Sequence, residues 1–215
     1  ARDLAAAGIG KLKPLKFKKV VGSFESPIRV SLNFDEKHTD ACPIFVGRYF
    51  RGVKNGESPQ WLKARLSSIG LRPISALVDI TNYSTIALNR PLHVFDADKI
   101  KGDIQIRLAR DGEKMQALDG KEYILDNTMT VISDDEDAEA LAGVMGGERT
   151  GVSEQTVNVM LETAYFNPVR TAMTGRNLNL MSDARFRFER GVDPAFLEDG
   201  TEIASQLILD LCGGE

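Results

Sequence analysis

The chain has 215 residues, 42% hydrophobic and 27% charged, enough apolar material for one large domain or two closely packed small ones. A net charge of -4 excludes a broadly basic nucleic-acid coat, and two histidines without an HExxH motif exclude an ordinary zinc site. No apolar run reaches the roughly 18 residues of a membrane span. No signal peptide opens the chain, and Cys42 and Cys212 form neither a disulfide framework nor a CxxC pair, so a reducing, cytoplasmic setting is expected.

The start at Ala1 inside RDLAAAG and the stop after LCGGE read as a segment of a longer polypeptide. Residues 1-22 are expected to be the end of a preceding domain and a connector, with a helix closed by Gly8 and a lysine-rich stretch beyond it. Residues 23-215 form the main module, with about 23-100 and 101-215 interleaved. Ile28 to Phe34 alternates apolar and polar residues, which predicts a half-buried strand, and Pro43 to Val53 holds a second β-rich run. His38, in the turn between them, is expected at the surface.

Ser58-Pro59 predicts a capped helix over Pro59 to Ser68, and Ser75 can cap the next. That second helix rests on Leu77, Ile80, Ser84 and Leu88 at helical spacing, against the β-branched residues Val78, Ile80 and Thr81. Within VDITNYSTIALNRPLHVFD (78-96), the break at Asn89-Arg90-Pro91 should reverse the chain and return His93 to the level of Thr81 and Asn82, making a small polar pocket.

Short β-rich runs follow at Ile104-Ala109, Lys114-Leu118, Glu122-Leu125 and Thr128-Ser133, with Leu118-Asp119-Gly120-Lys121 as a hairpin signal. The acidic run Asp134 to Asp137 lacks the spacing of a calcium loop and reads as a solvated turn. In ALAGVMGG (140-147), Gly143, Gly146 and Gly147 remove side chains and expose amides; a ligand or another backbone segment can approach, or the stretch is a plain tight turn.

Val157 to Phe166 reads as an interior strand, and Glu162 is its anomaly: a carboxylate among apolar residues lies either at a water-facing edge or in a pocket. Asn167-Pro168 should start a short helix ending near Gly175. SDARFRFERGVDP (182-194) interleaves Arg185, Arg187 and Arg190 with Phe186 and Phe188, a pattern that grips nucleic acid or, more commonly, flanks a core element. Asp193-Pro194 then opens a last helix with a core stripe of Phe196, Ile203, Leu207 and Leu211. The fold class is α+β: a mixed, largely antiparallel sheet packed by helices in two intimately associated subdomains.

Taken together, SALVDITNY, RPLHVFD, ALAGVMGGE, LETAYF and SDARFRFERGVDP resemble, in order and spacing, the central editing module of the bacterial phenylalanyl-tRNA synthetase beta chain. The resemblance implies an alpha/beta heterotetramer whose alpha subunit carries a class II synthetic site using ATP and Mg2+. This segment would need no cofactor and no metal. Its implied activity is hydrolysis of tyrosine misattached to the 3' end of phenylalanine tRNA, with no membrane involved. The implied pocket comprises Thr81 and Asn82, His93, Gly143 and Gly146, Glu162, Ser182 and Ala184. Where many members have threonine, this chain has Ser182.

In that pocket Glu162 would read the tyrosine phenol, and Thr81, Gly143, Gly146, Ser182 and Ala184 would bind substrate. Asn82 and His93 would serve the hydrolysis, His93 orienting water or the tRNA end rather than acting as an essential general base. The competing expectation is a non-catalytic tRNA-binding or subunit-docking module. Glu162 on an exposed edge favours docking; a pocket shared by Glu162, His93, Asn82 and Gly146 favours editing.

Overall fold

The computed structural model describes residues 1-215. Helix α1 (Arg2–Ala6) is closed by Gly8 at φ 75°, a backbone region open to glycine, and residues 11-22 follow without regular structure and mostly exposed. Strand β1 (Val30–Asn33) is shorter than the alternation predicts and not half-buried. It pairs only with β4 (Ile104–Leu108), in parallel, and Leu32 is 47% exposed, because an edge strand has one neighbour to cover it.

Strands β2 (Ile44–Arg51), β3 (His93–Asp96) and β10 (Asn158–Tyr165) make a three-stranded antiparallel sheet with β10 in the centre. The second sheet runs β1-β4-β7-β8-β9, with β7 at Thr130–Ser133, β8 at Ala138–Leu141 and β9 at Met145–Gly146. A separate hairpin pairs β5 (Lys114–Gln116) with β6 (Glu122–Ile124) around the Asp119-Gly120 turn, where Gly120 has φ 78°. All pairings but β1 with β4 are antiparallel. The fold is thus α+β.

Alternation along β10 ties the layers together, since successive side chains leave a strand on opposite faces. Met160 and Ala164 join Phe95, Ile104, Ile106 and Ile132 in the core between the two sheets. Val159 and Leu161 join Phe50 and Val94 under the helices. Those helices are α2 (Gln60–Ser68), α3 (Ala76–Ala87) and α6 (Leu197–Cys212), contributing Leu62, Leu77, Ile80 and Ile208 among others. Helices α4 (Pro168–Asn177) and α5 (Asp183–Phe188) follow β10, and a third core, with Val131, Leu141 and Leu180, closes the far side of the larger sheet.

Four local readings are corrected by burial. Pro59, not Ser58, caps α2; the Ser58 hydroxyl donates instead to the buried Asp79 carboxylate at 2.5 Å, whose other oxygen accepts from the Ile74 amide. Ser75 holds the N-cap position of α3 but makes no side-chain cap bond, accepting from Asn55. Asp134 is not solvated: its carboxylate is buried, accepts from the Lys101, Glu136 and Asp137 amides and pairs with Arg149. In α6 the fully buried line is Leu197, Ala204, Ile208 and Cys212, with Leu207 and Leu211 only flanking it and Phe196 in the preceding turn. Small residues decide that rotation: a Cβ on Gly200 would sit 2.9 Å from Cγ of the buried Arg90.

Candidate functional site

The reversal after α3 places the site. Asn89 takes φ 55°, and Arg90 then turns inward, fully buried, donating to the Ala164 and Asp193 carbonyls. The chain emerges as β3, where His93 lies directly across the ladder from Glu162. Because β10 is the central strand, Glu162 cannot reach water along a sheet edge; it is 5% exposed.

Over this pair sits the turn joining β8 to β9. Gly143 has φ 71°, and a Cβ there would meet the Phe166 and Phe188 rings at 3.1 Å. A Cβ on Gly146 would fall 2.5 Å from Cε1 of His93. Ser182, at the N-cap of α5, accepts from the Arg185 amide and donates to the Val144 carbonyl at 2.6 Å, fastening that helix to the turn.

Two adjoining cavities result. The inner one, about 70 Å³, is lined by Glu162, Gly143 and Phe188 together with His93, Gly146 and Ala184. The last three also line the outer one, about 340 Å³, with Thr81, Asn82, Ser182 and Asp183. All eight residues named from the sequence therefore meet here, but in two chambers: Glu162 and Gly143 inside, Thr81, Asn82 and Ser182 outside. The sequence reading did not find Asp183, Met145 or Leu118. Asp183 sits between two named residues and could have been read from its position. Leu118 has no sequence signal, since it arrives through a bond from its amide to the Gly146 carbonyl.

The polar groups are unequally free. The Thr81 hydroxyl donates to the Val78 carbonyl within its own helix, leaving it only to accept, whereas the Asn82 side-chain amide makes no hydrogen bond in the protein. His93 packs its ring edge-on against Phe95 at 4.4 Å, and its Nε2 is sealed from solvent without a partner although the residue as a whole is only half-buried. Of the backbone amides in the 140-147 stretch, those of Val144 and Gly147 are already donated to the Leu141 and Glu139 carbonyls. Gly147 is a packing glycine, its Cβ position lying 2.7 Å from the Glu139 oxygen. The arginines of 185-190 are structural: Arg185 is buried against Glu189, while Arg187 pairs with Asp183 and Arg190 stacks on Phe186.

Burial sets the charge state. It pushes the Glu162 carboxyl up to about 8 and holds the His93 imidazole down at about 4, so at neutral pH both are mainly uncharged. The Cys42 thiol in the same core is raised by burial and then by Glu162. Folding therefore takes up a proton at Glu162 above its unfolded value of 4.5, and this stabilising contribution is lost as pH rises through about 8. His93 runs the other way, losing stability as pH falls from 6.5 through about 4. Between pH 6.5 and 8 the pH dependence due to His93 fades while Glu162 remains protonated in the folded protein, and unfolding free energy should drop by about 1 kcal/mol per pH unit more in the native sequence than in Glu162→Gln. Urea titrations across that range check it; equal slopes in the two proteins would mean that Glu162 ionises normally.

The B3/4 domain family matches residues 41–213. The phenylalanine-tRNA ligase beta subunit of Paramagnetospirillum magneticum is 63% identical over 215 residues, covering 100% of this chain and 27% of the relative. That of Ruegeria pomeroyi is 59% identical with the same coverage. The chain thus spans about a quarter of the length of these relatives. A solved N-terminal fragment of the phenylalanyl-tRNA synthetase beta subunit from Pyrococcus horikoshii aligns at 20% identity and TM-score 0.48, over 80% of this chain and 54% of that one.

Proposed function

Because the chain belongs to the B3/4 domain family, we propose that its two-chambered pocket hydrolyses the ester joining tyrosine wrongly to phenylalanine tRNA and spares the phenylalanyl ester. The observation that carries this reading is Glu162, an unpaired carboxyl group buried in a largely apolar chamber beside an uncharged His93. Its burial, instead of placement on an exposed edge, supports hydrolysis over a purely docking role.

A synthetic pocket shaped for an apolar ring cannot strongly reject the same ring carrying a hydroxyl; such discrimination reaches only about 100-fold. A second site must sort by demanding the hydroxyl. The tyrosine phenol hydrogen-bonds Glu162, whereas a phenylalanine ring leaves the carboxyl desolvated and unpaired, a penalty of about 1 to 3 kcal/mol. The inner chamber, about 70 Å³, is smaller than the roughly 150 Å³ cavity that holds a benzene ring. The phenol hydroxyl therefore points inward to Glu162, while the ester lies in the outer chamber, beyond the border that His93, Gly146 and Ala184 form between the two.

There a water adds to the ester carbonyl carbon, the bond to the ribose oxygen breaks, and that oxygen takes up a proton, releasing tyrosine and a free tRNA end. The free Asn82 amide and His93 orient the water. His93 supplies position and is not the essential general base. The acceptor end of phenylalanine tRNA is the substrate carrier. The alpha subunit, ATP and Mg2+ serve the synthetic site elsewhere in a cytoplasmic heterotetramer.

The test is deacylation of tyrosyl-tRNA(Phe) and phenylalanyl-tRNA(Phe) by the assembled synthetase, native and Glu162→Ala. The native enzyme should cleave only the tyrosyl ester, and Glu162→Ala should lose about 10- to 100-fold on it. Unchanged rate and selectivity in the variant would remove Glu162 as the reader of the phenol.

A further inference from the structure

The outer chamber contains one formally charged residue, Asp183. Resting on the editing reading above, we propose that Asp183 binds the α-ammonium group of the aminoacyl ester and so makes the pocket selective for esters of α-amino acids. An aminoacyl ester carries this cation beside its carbonyl carbon. With the side chain directed inward to Glu162, the ammonium must find its partner in the outer chamber.

The other polar groups there are poorly placed for the task. The Ser182 hydroxyl is committed in both directions, donating to Val144 and accepting from Arg185. Thr81 and Asn82 supply neutral oxygens and no counter-charge. Asp183, the first residue of α5, has one oxygen, Oδ1, held by Arg187 Nη1 at 3.0 Å, which steadies the carboxylate. Its second oxygen makes no hydrogen bond, and the side chain is 60% exposed. An ion pair formed here is charge-assisted and gains strength as the ester closes the chamber mouth.

The experiment compares tyrosyl-tRNA(Phe) with 3-(4-hydroxyphenyl)propionyl-tRNA(Phe), which lacks only the amine, on the assembled synthetase. Asp183→Asn should lose about 10-fold in kcat/KM on the tyrosyl ester, mostly through a higher KM, with the deamino ester unaffected. Comparing enzymes on each ester cancels the greater intrinsic reactivity of the amino ester. Arg187→Gln breaks the same intrahelical pair but keeps the carboxylate, and should retain the preference for the amine. An equal loss on both esters in Asp183→Asn, or loss of the preference in Arg187→Gln as well, would assign Asp183 a merely structural role and overturn the proposal. Failure of the native enzyme to cleave the tyrosyl ester would overturn the editing reading first, and this proposal with it.

Discussion

Gly146→Val should lower hydrolysis of the tyrosyl ester by the proposed editing pocket by at least about 100-fold, at a cost of about 1 to 3 kcal/mol in stability that leaves the protein folded. A Cβ at this position would stand 2.5 Å from Cε1 and 2.9 Å from Nε2 of His93, and 3.0 Å from a Leu118 methyl. His93 has little room to yield, because its backbone is held in the ladder opposite Glu162 and its ring rests on Phe95. Gly146 borders both cavities, so the added side chain would take up space where the two chambers adjoin. Single-turnover deacylation, run beside a thermal melt, checks this. A folded variant with a near-native rate would mean that substrate does not pack against Gly146 where the two chambers adjoin.

Arg90→Ala should destabilise the chain by about 3 to 5 kcal/mol, a large share of the roughly 5 to 15 kcal/mol typical of a domain. Arg90 is fully buried and its guanidinium donates to the carbonyls of Ala164 and Asp193, joining the end of β10 to the start of the last helical segment. Alanine would strand both carbonyls and open a cavity beneath Gly200. Arg90→Met strands the same carbonyls but keeps an apolar stem that fills most of the space, so its loss should be smaller. Urea unfolding of the three proteins checks the order. An alanine variant as stable as the native chain would show that the two carbonyls find other donors.

Residue chemistry made part of the site legible before any coordinates. Glu162 stood out because a carboxylate between Leu161 and Thr163 contradicts an interior strand, and that contradiction is the pocket itself. The reversal at Asn89-Arg90-Pro91 did return His93 toward α3, since proline and a left-handed asparagine leave the chain few alternatives. Gly143 and Gly146 were visible as missing side chains, although what they make room for was not.

Other readings failed where a partner distant in sequence chose the outcome. Periodicity weights large apolar residues, so it placed the α6 stripe on Leu207 and Leu211; Gly200 and Ala204, nearly silent in that pattern, let the helix approach Arg90 and α3. Ser58 looked like a helix cap until Asp79 claimed its hydroxyl, and Asp134 looked solvated until three amides and Arg149 surrounded it.

By itself, then, the amino-acid order determined the α+β class and most of the strands and helices, and its resemblance to the editing module supplied the eight residues that meet at the pocket. The elements follow from local torsions, alternation and side-chain chemistry, which act within a few residues along the chain. Only the tertiary structure decided that the pocket has two chambers, that Asp183 stands at its mouth, and that Glu162 and His93 are mainly uncharged at neutral pH. Desolvation and hydrogen-bond competition depend on every atom packed around a group, and those atoms come from β3, β10, α3, α5 and the β8-β9 turn, segments that are neighbours only after folding.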